Sequence, residues 1–491
     1  MMINSNSRHL VPDSQKKHAS EWLLLGVCGA GMRSFAEMLR DAGEDITGTD
    51  IDNESLVRLA TAGLGSMRTV PWSNCFDEKS GLPRTVVHSL AVPSSLPFLS
   101  EARTAGVKVV SLPEALGARL RDARQICVAG THGKTTTSGM IWWVLSQSGR
   151  NPAGFIGGEF NGLFQSGSFG HGKVAVIESC EYREAFLHLT PYTIVLTGIE
   201  PDHFDCFPDH QFADNAFRAF IDRLPPNGNL IVNAVNGRSV ELAQQALCRV
   251  STFGRSTLAD WIARPMESRC PLRTSPETPD FGEVFDVLHR GRKVTTVHLR
   301  VAGKHNIENA LAAFAAAYHE GLEPEEIALH LSTFRGMRRR FEHRGVWNGI
   351  DLVDDYAHHP SAIQATLDTA KSVFPDRRLI AVFEPHQVSR TENLFFEFVQ
   401  ALSGFHESLI LPVLPARELA SSAQCCRLSG KLVRQISEAG GRAFLMANLD
   451  QVPGRLDHAA RPGDVVITMG AGRTHQIHDE IHRRLYRDSA A

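Results

Sequence analysis

The chain has 491 residues, of which 43% are hydrophobic and 21% are charged, and its formal net charge is −3 at pH 7. At about 100–200 residues per domain, this length predicts roughly two to four domains. So mild a charge balance argues against a nucleic-acid binder, which usually presents a basic face, and against binding to an anionic membrane. No apolar run approaches the roughly 20 residues that are needed to cross a bilayer.

The N-terminal segment and the cysteines indicate where the protein works. Residues 1–20 lack the apolar stretch of a secretory signal and are predicted to form a flexible polar tail. The nine cysteines are scattered and form no C-x-x-C pair. This pattern argues against a zinc or disulfide framework and favours a reducing compartment. We therefore expect a cytoplasmic protein.

Strand-like and helix-like segments alternate from residue 20 to about residue 115. The run "EWLLLG" predicts a buried strand, and "FAEMLRDAG" predicts a short helix that stops at Gly43. Further strands are predicted at "DITGTD", "TVVHSL" and "VKVVSL". The alternation predicts a parallel sheet with helices on both faces.

The same alternation continues in two further units. The second begins at "RQICVAGTHGKTTT", and its strands are predicted at "KVAVIES", "TIVLTGIE" and "NLIVNAV". Its alanine-rich helix, "HNIENALAAFAAAYHEG", has Leu311, Phe314 and Tyr318 on one face and Gly321 just past its end. The third begins near "RRRFEHRG", with strands at "DLVDD", "RLIAVF", "SLILPV" and "DVVITM". We therefore predict an α/β protein whose domains comprise residues 21–120, 121–337 and 338–491.

The stretch "VAGTHGKTTTSG" resembles a phosphate-binding loop, although Val128 stands five residues before Gly133, where the usual pattern has glycine. Gly130 and Gly133 permit a tight loop whose N–H groups can point at phosphate oxygens. Lys134 can reach the β- and γ-phosphates, and the Thr135 hydroxyl can bind Mg²⁺. A strand before the loop and a helix after it favour this function over a chance match in a surface loop.

A second glycine-rich loop, "GVCGAGM", follows the first predicted strand and begins a helix. Its spacing, G-x-x-G-x-G, differs from the G-x-G-x-x-G of nicotinamide-dependent enzymes, which argues against an oxidoreductase. Asp50 ends the next strand, where an acid can reach a ribose hydroxyl. The alternative is that the glycines only allow close packing of strand and helix; we favour nucleotide contact.

Polar side chains gather where strands end. Two strands of the second unit are followed by Glu178 and Glu181, and by Glu200, Asp202, His203 and Asp205. Alone these would be solvated loop ends, but beside a phosphate loop they favour a Mg²⁺ site. In the third unit, "DDYAHHP" and "FEPHQVSRT" suit an anionic ligand, and their histidines are not interpreted as metal ligands. The basic run at residues 338–340 is either a solvated helix end or a clamp on phosphates.

Seven motifs in this order resemble the sequence landmarks of the Mur ligases: "GVCGAGM", "GTHGKTTT", "IEPDHFD", "HNIENALAA", "GMRRRFEHRG", "DDYAHHP" and "FEPHQVSRT". The resemblance extends from about residue 20 to about residue 480. It implies a Rossmann-like first domain that binds a UDP-sugar, a P-loop-like ATPase domain, and a Rossmann-like third domain that closes over an amino acid. That family uses a shortened G-T-x-G-K-T-T loop, so Val128 is no defect.

The resemblance also implies an activity in peptidoglycan precursor synthesis, with ATP and Mg²⁺ as cofactors. The carboxylate of UDP-N-acetylmuramate would attack the γ-phosphate of ATP to give an acyl phosphate and ADP. The amine of L-alanine would then attack the acyl carbon, and phosphate would leave. As partners we expect only these two substrates, with no nucleic acid and no membrane insertion, and the chain is expected to be a monomer or weak homodimer.

Site residues follow from the matching motif positions. The implied catalytic residues are Lys134, His203, Asp355 and His358. The implied ATP-binding residues are Gly130, Thr131, His132, Gly133, Lys134, Thr135, Thr136, Asn306, Asn309, Arg339 and Arg340. The implied substrate-binding residues are Gly29, Gly31, Met32, Asp50, Ser89, Tyr356, His386 and Arg390. The implied Mg²⁺ ligands are Thr135, Glu181 and His203.

Four positions depart from the pattern of the family, namely Cys28, Arg183, Gly198 and Gln387. Gln387 replaces a frequent arginine and removes a cation from the anionic substrate side. Two alternatives therefore stay open: a ligase of the same family that attaches a tripeptide, and a catalytically silent scaffold that binds a UDP-sugar. His386 and Arg390 favour L-alanine over the tripeptide, and the intact Lys134 and Glu181 argue against a silent protein.

Overall fold

The computed structural model describes residues 21–52, 55–57, 68–69, 83–163, 165–207, 209–266 and 282–488. The predicted flexible tail, residues 1–20, lies outside these ranges. The chain divides into two compact units, residues 1–115 and residues 116–491. None of the helices in the described ranges is long and apolar enough to cross a membrane.

Unit 1 contains a parallel sheet. Its strands are β1 (Trp22–Leu25), β2 (Ile46–Thr49), β3 (Arg68–Thr69), β4 (Thr85–His88) and β5 (Lys108–Ser111). In the part of unit 1 that is described, their order is β3-β2-β1-β4-β5, and every pair is parallel. The helices are α1 (Ala30–Asp41), α2 (Pro97–Thr104) and α3 (Leu112–Arg119), within which the division between the units falls.

The strands of unit 1 are short apolar runs because a parallel sheet is covered on both faces. Leu23, Leu25 and Val86 are buried with Leu99 of α2 in one cluster. Helix α1 ends where Gly43 adopts a φ of +80°, a conformation that glycine takes without strain. The predicted strands of this unit, its parallel order and the helix stop at Gly43 are confirmed.

Unit 2 contains two sheets. The strands of the first are β6 (Arg124–Ala129), β7 (Ala153–Phe155), β8 (Gly167–Ser168), β9 (Val174–Glu178), β10 (Pro191–Leu196), β11 (Asn229–Asn233), β12 (Arg249–Gly254), β13 (Trp261–Pro265), β14 (Glu283–His289) and β15 (Arg292–Leu299). Over the described residues their order is β15-β14-β13-β12-β11-β10-β6-β9-β7-β8. The strands from β13 to β7 in this order are parallel, whereas β8, β14 and β15 are antiparallel to their neighbours.

Helices pack against this sheet. They are α4 (Lys134–Gln147), α5 (His210–Ile221), α6 (Gly237–Ala243), α7 (Lys304–His319) and α8 (Pro324–Leu331), with a short 3₁₀ helix at Tyr182–His188. Of these, α4, α7 and α8 share a hydrophobic core with its strands. The alanines of α7 are fully buried, which lets α7 pack closely on α4 and on the sheet. Leu311 and Phe314 are buried as predicted. Tyr318, predicted on the same face, is 37% exposed but lies edge-on to Trp261, with ring centroids 5.0 Å apart.

The second sheet of unit 2 is also mostly parallel. Its strands are β16 (Glu342–Trp347), β17 (Ile350–Asp355), β18 (Leu379–Phe383), β19 (Glu407–Ile410), β20 (Ala443–Leu445) and β21 (Val465–Met469). Over the described residues the order is β16-β17-β21-β18-β19-β20, and β16 alone is antiparallel. The helices are α9 (Pro360–Val373), α10 (Val388–Asn393), α11 (Phe395–Ser403), α12 (Ser422–Glu438), α13 (Gln451–Ala459) and α14 (Gln476–Asp488). The predicted α/β fold with mostly parallel sheets is confirmed.

Ligands of parallel α/β sheets bind beyond the carboxyl ends of the strands. In the first sheet of unit 2, β6, β9 and β10 are neighbours, so the segments that follow them lie side by side. In the second sheet, β17 and β18 both flank β21. The segments that follow these strands carry the candidate residues of the sequence analysis.

Replacing Leu311 by alanine tests the packing of α7. Leu311 is fully buried, so Leu311→Ala is expected to lower the free energy of unfolding of this part of the chain by about 2–5 kcal/mol. The matched control, Leu329→Ala, removes the same atoms from a helical side chain that is 62% exposed, and its effect is expected within about 0.5 kcal/mol. Urea unfolding followed by tryptophan fluorescence measures both. Equal destabilisation by the two variants would contradict this packing.

Candidate active site

The phosphate loop joins the buried strand β6 to helix α4. Gly130 and Gly133 have φ values of +128° and +78°, which favour glycine. A Cβ atom at Gly133 would lie 2.5 Å from Asn309 Oδ1, so this position also lacks room for a side chain. The loop is fixed to the segment after β10, because Thr131 N donates to Gly198 O (2.8 Å) and Thr197 Oγ1 donates to His132 O (2.5 Å). The loop therefore has the context that the sequence predicts.

Lys134, the first residue of α4, reaches across the loop to the segment after β9. Its Nζ donates to both oxygens of Glu181, at 3.1 and 3.0 Å. Burial is the largest influence and opposes the charge on Lys134, but Glu181 and the other acidic groups around it together outweigh burial and raise the pKa of the amine. The lysine is therefore a protonated cation within the cavity, as phosphate binding requires.

Thr135 lies against Glu178 rather than Glu181. Its hydroxyl donates to Glu178 Oε1 (3.1 Å) and accepts a hydrogen bond from Arg340 Nη2 (3.0 Å). The other oxygen of Glu178 accepts from Gly157 N at 2.7 Å, which fixes the carboxylate. A hydroxyl and two carboxylates beside a phosphate loop are the oxygen donors that Mg²⁺ prefers. The Thr135 hydroxyl and the Glu178 carboxylate fit Mg²⁺, whereas the predicted ligand Glu181 contacts Lys134.

His203 faces Glu181 from the segment after β10. Its Nε2 lies 3.6 Å from Glu181 Oε1, and its backbone has a φ of +54°. Burial lowers the pKa of His203, although the nearby Asp202 and Glu181 oppose this shift. Two of the predicted ligands, Glu181 and His203, therefore lie against each other, whereas the third, Thr135, contacts Glu178.

Helix α7 supports the loop from behind. Asn309 Oδ1 accepts from Thr137 Oγ1 (3.2 Å), and Asn309 Nδ2 donates to Asn306 Oδ1 (3.1 Å). Asn306 in turn donates to Ala302 O at 2.7 Å. Of the two predicted asparagines, Asn309 lines the cavity described below, whereas Asn306 holds it in place.

The two predicted arginines take different directions. Arg340 points to Thr135, whereas Arg339 donates to Gly470 O (2.6 Å) and lies 3.4 Å from Asp354. Both guanidinium groups contact the ring of Tyr356, at 5.0 Å for Arg339 and 4.9 Å for Arg340. Arg340 is therefore the arginine that reaches the phosphate loop.

Asp355 ends β17 and is fixed by two backbone amides. It accepts from Phe341 N (2.9 Å) and from Ala357 N (2.8 Å). Burial raises the pKa of Asp355 to about 6, although the charge of Arg340 opposes the shift. His358, three residues further on, donates from Nδ1 to Tyr356 O at 2.8 Å, since a carbonyl oxygen can only accept. Burial, together with the charge of Arg390, holds the pKa of His358 well below its usual range, so its ring is neutral and Nε2 is available as an acceptor.

Arg390 and Asp202 form a buried ion pair between the segments after β18 and β10. Arg390 Nε and Nη2 both lie 2.7 Å from Asp202 Oδ1, and Arg390 is only 2% exposed. Burial is the largest influence and opposes ionisation of Asp202, but Arg390 and the histidines around it together outweigh burial and lower the pKa of the carboxyl. Arg390 Nη1 also donates to His386 O (3.1 Å), and burial with this cation lowers the pKa of His386 to about 4. The predicted substrate residues His386 and Arg390 thus lie together.

Gln387, which departs from the family pattern, contacts Asp205, and Asp205 is paired with a cation that the sequence does not reveal. Gln387 is buried, and its Nε2 lies 3.4 Å from Asp205 Oδ1. Arg417, from the loop after β19, donates to Asp205 Oδ2 (2.7 Å), and its Nη2 lies 3.4 Å from His203 Nδ1. Arg417 also stacks on Tyr182 at 3.8 Å from the ring centroid. A cation therefore does stand beside Gln387, but it comes from a segment without a recognisable motif.

A cavity of about 580 Å³ lies in unit 2 beside these residues, and its lining does not include the predicted residues Gly130, Glu181, Asn306, Arg339, His386 and Arg390. Its lining includes the phosphate loop from Thr131 to Thr136, the acids Glu178 at the end of β9 and Glu200 and Asp202 after β10, and residues in and after β17. The predicted residues among its lining are Thr131, His132, Gly133, Lys134, Thr135, Thr136, His203, Asn309, Arg340, Asp355, Tyr356 and His358. The volume is that of a ligand-binding cavity, and its lining carries both cations and carboxylates.

The glycine loop of unit 1 is held by Asp50. Asp50 Oδ2 accepts from Cys28 N (2.9 Å), and Oδ1 accepts from Asp52 N (3.1 Å). Gly29 and Gly31 lie at the beginning of α1, where N–H groups favour an anion, and Met32 is buried beneath them. Ser89 packs against the loop, because a Cβ atom at Gly26 would lie 3.1 Å from Ser89 Cβ. The predicted residues of unit 1 therefore surround one loop.

Three domain models of one protein family match this chain. Residues 23–124 match the Mur ligase family catalytic domain, residues 128–317 the Mur ligase middle domain, and residues 339–472 the Mur ligase glutamate ligase domain. The chain belongs to the Mur ligase family, as the sequence analysis predicts.

Relatives of known function are more specific. The UDP-N-acetylmuramate–L-alanine ligase of Rubrobacter xylanophilus is 36% identical over 467 residues, which are 94% of this chain and 99% of the relative. The enzyme of the same name from Salinibacter ruber is 36% identical over 452 residues, 91% of each chain.

Solved structures share the fold. The UDP-N-acetylmuramate-alanine ligase of Thermotoga maritima has a TM-score of 0.78 at 23% identity, over 96% of this chain and 100% of its own. A murein peptide ligase of Psychrobacter arcticus has a TM-score of 0.70 at 26% identity, over 94% of this chain and 98% of its own.

Replacement of Arg390 tests the buried ion pair. Arg390→Met leaves the Asp202 carboxylate buried without its partner, so we expect a loss of about 3–5 kcal/mol of unfolding free energy. Adding Asp202→Asn removes the stranded charge and is expected to restore part of that loss. The control, Arg442→Met, alters a 62% exposed arginine that pairs with Glu407 and is expected to cost at most about 1 kcal/mol. Simple additivity of the two replacements in thermal unfolding would contradict the coupling.

Proposed function

We propose that this protein is an ATP-dependent ligase that joins L-alanine to the carboxylate of UDP-N-acetylmuramate, in peptidoglycan precursor synthesis. The observation that carries the proposal is the convergence of Lys134, Arg340 and Glu178 on one cavity, with Glu181 paired to Lys134. The chain's relatives are UDP-N-acetylmuramate–L-alanine ligases. We propose domain boundaries near residues 120 and 338, as the sequence suggests.

The chemistry explains why the cavity must be cationic. A carboxylate is a poor acyl donor because its leaving group would be oxide, and phosphorylation replaces oxide by phosphate. The carboxylate and the γ-phosphate of ATP are both anions, so their approach requires neutralisation of charge. Lys134 and Arg340 provide two cations at the loop, and both are already held there by Glu181 and Thr135. Positioning and electrostatics therefore account for most of the catalysis.

Mg²⁺ would be held by Thr135 and Glu181, with Glu178 beside Thr135. When bound, this ion supplies further positive charge at the β- and γ-phosphates. Thr135 and Glu178 already hydrogen-bond to each other, so their oxygens are oriented towards one place. His203, which contacts Glu181, would orient this carboxylate from the other side.

The second half of the reaction belongs to residues after β17 and β18. The attacking amine of L-alanine must lose a proton, and the neutral ring of His358 has Nε2 free to accept it. Arg390, with His386 beside it, would lie on the substrate side, and Asp355 and Tyr356 would complete the enclosure. In unit 1, the loop with Gly29 and Gly31 would bind the uridine nucleotide, with Asp50, Met32 and Ser89 supporting it.

The direct test is phosphate release from ATP in the presence of UDP-N-acetylmuramate, with L-alanine, L-serine, glycine or a tripeptide added one at a time. The proposal requires the highest kcat/KM with L-alanine. Release with the tripeptide alone would assign the chain to the murein peptide ligases, a class to which the Psychrobacter arcticus structure belongs. If no phosphate is released with any of the four amines, and the folded chain still binds the UDP-sugar, the protein is a scaffold.

Lys134→Ala is expected to reduce ADP formation by roughly 10³-fold or more, because it removes the cation at the phosphate loop. Binding of UDP-N-acetylmuramate, measured by calorimetry without ATP, is expected to be largely unchanged, since we assign the nucleotide sugar to unit 1. Lys173→Ala replaces an exposed lysine and serves as the control. Loss of both ATP use and UDP-sugar binding in a folded Lys134 variant would refute this division of labour.

We expect Arg417 to supply the positive charge that the family's frequent arginine would provide at position 387. Arg417→Met should raise the KM for L-alanine or for UDP-N-acetylmuramate by roughly tenfold, the size of one charge-assisted interaction, and should affect the KM for ATP less. Gln387→Arg in the Arg417→Met background should restore part of the loss, because it returns a cation to Asp205. An effect confined to ATP would show that this loop is wrongly assigned to the substrate side.

A further inference from the structure

Three side chains from separate segments meet at the edge of the cavity, outside the predicted Mg²⁺ ligands. They are His132 of the phosphate loop, Glu200 after β10, and His359 at the beginning of α9. One ligand atom from each lies within 4.8 Å of the other two, and among the described residues this is the group of histidines and acids with that property. The rings of His132 and His359 are also close, with centroids 4.7 Å apart.

The distances suit a metal ion at the centre of the group. Glu200 Oε2 lies 3.5 Å from His132 Nε2 and 3.7 Å from His359 Nδ1. Ligands of tetrahedral Zn²⁺ at 2.0–2.1 Å from the ion are separated by about 3.4 Å, so both pairs are close to the required edge length. Small movements of these side chains would complete the geometry.

The hydrogen bonds around the group leave one ring nitrogen of His359 with a lone pair towards Glu200. His359 Nε2 lies 3.2 Å from Pro201 O and must donate to it, which leaves Nδ1 of the neutral ring unprotonated and facing Glu200. The competing contact to Nδ1 is a long one from Ser361 N at 3.4 Å. His132 Nε2 is shielded from solvent and makes no hydrogen bond to any group that the structure describes.

We propose that His132, Glu200 and His359 form a Zn²⁺ site whose fourth position is open to the cavity. Two imidazoles and one carboxylate are ligands that suit Zn²⁺, whereas the oxygen donors around Thr135 suit Mg²⁺. His132 and Glu200 both line the cavity, so a water molecule or a substrate oxygen can occupy the fourth position. Because His359 caps α9 and the other two ligands follow strands of the first sheet of unit 2, bound Zn²⁺ would join these segments.

The site differs from what the sequence predicts for the "HHP" motif. There, the histidine pair is interpreted as part of an anion-binding site. The structure separates the two: His358 faces Tyr356 O, while His359 turns to Glu200 and Pro201. Ser361 strengthens the arrangement, since its hydroxyl donates to Glu200 Oε2 at 2.5 Å and orients the carboxylate.

The test is direct binding of Zn²⁺ to the full chain, freed of metal by a chelator and kept in excess Mg²⁺ so that the oxygen-rich site is saturated. Competition with a chromophoric chelator gives the affinity and stoichiometry. We expect one tight Zn²⁺ per chain and, for Glu200→Gln and for His359→Asn, a dissociation constant raised roughly tenfold or more. Asparagine is chosen at residue 359 because it can still cap α9, which limits damage to folding.

Two controls locate the ion. His188→Gln replaces an exposed histidine and should leave Zn²⁺ binding unchanged. His203→Gln alters the predicted Mg²⁺ side: if it abolishes Zn²⁺ binding while the Glu200 and His359 variants retain it, the proposal is overturned. Co²⁺ provides a second readout, because its visible absorption reports tetrahedral coordination and should disappear in the Glu200 and His359 variants alone. Zn²⁺ should likewise raise the melting temperature of the unaltered chain but not of those two variants; an equal rise in all of them would also overturn it.

Discussion

The ion pair between Asp202 and Arg390 is the interaction on which the arrangement of the site depends. Asp202 lies in the segment after β10 of one sheet of unit 2, and Arg390 lies in α10, which follows β18 of the other sheet. Both groups are buried, so neither charge is tolerable without its partner. Because the pair fixes these two segments, the phosphate loop and the residues after β17 lie around one cavity. The chemistry of both half-reactions can then take place in one enclosed volume.

The charges of the cavity follow from the reaction. Two anionic reactants need cations in the cavity. A buried cation is costly unless an opposite charge lies beside it, so these cations need counter-charges. Glu181 is the counter-charge of Lys134, and Thr135 and Glu178 provide a polar contact for Arg340. The same carboxylates are the oxygen donors that Mg²⁺ requires. One set of acids thus stabilises the loop before ATP arrives and would bind the metal ion afterwards.

The features that the sequence predicts correctly depend on residues that are close together in the chain. Buried parallel strands are continuous apolar runs and the phosphate loop is a contiguous motif, so β6, α4 and Lys134 are evident from the chain alone. Contacts between distant segments are not. Arg417 lies 212 residues from Asp205, and Thr135 lies 43 residues from Glu178, the acid that it contacts in place of the predicted Glu181. The antiparallel strands β14 and β15 also escape detection, because a partly exposed strand such as "RKVTTVHL" lacks a strong apolar signal.

The central claim is that the carboxylate of UDP-N-acetylmuramate is activated by transfer of the γ-phosphate. Substrate labelled with ¹⁸O in that carboxylate, incubated with ATP, Mg²⁺ and L-alanine, distinguishes this route from simple hydrolysis. If an acyl phosphate forms, one labelled oxygen appears in the released phosphate, because phosphate leaves with an oxygen of the former carboxylate. Mass spectrometry of the phosphate measures it. Transfer of one ¹⁸O per turnover is the predicted result, and unlabelled phosphate accompanying amide formation would contradict the account.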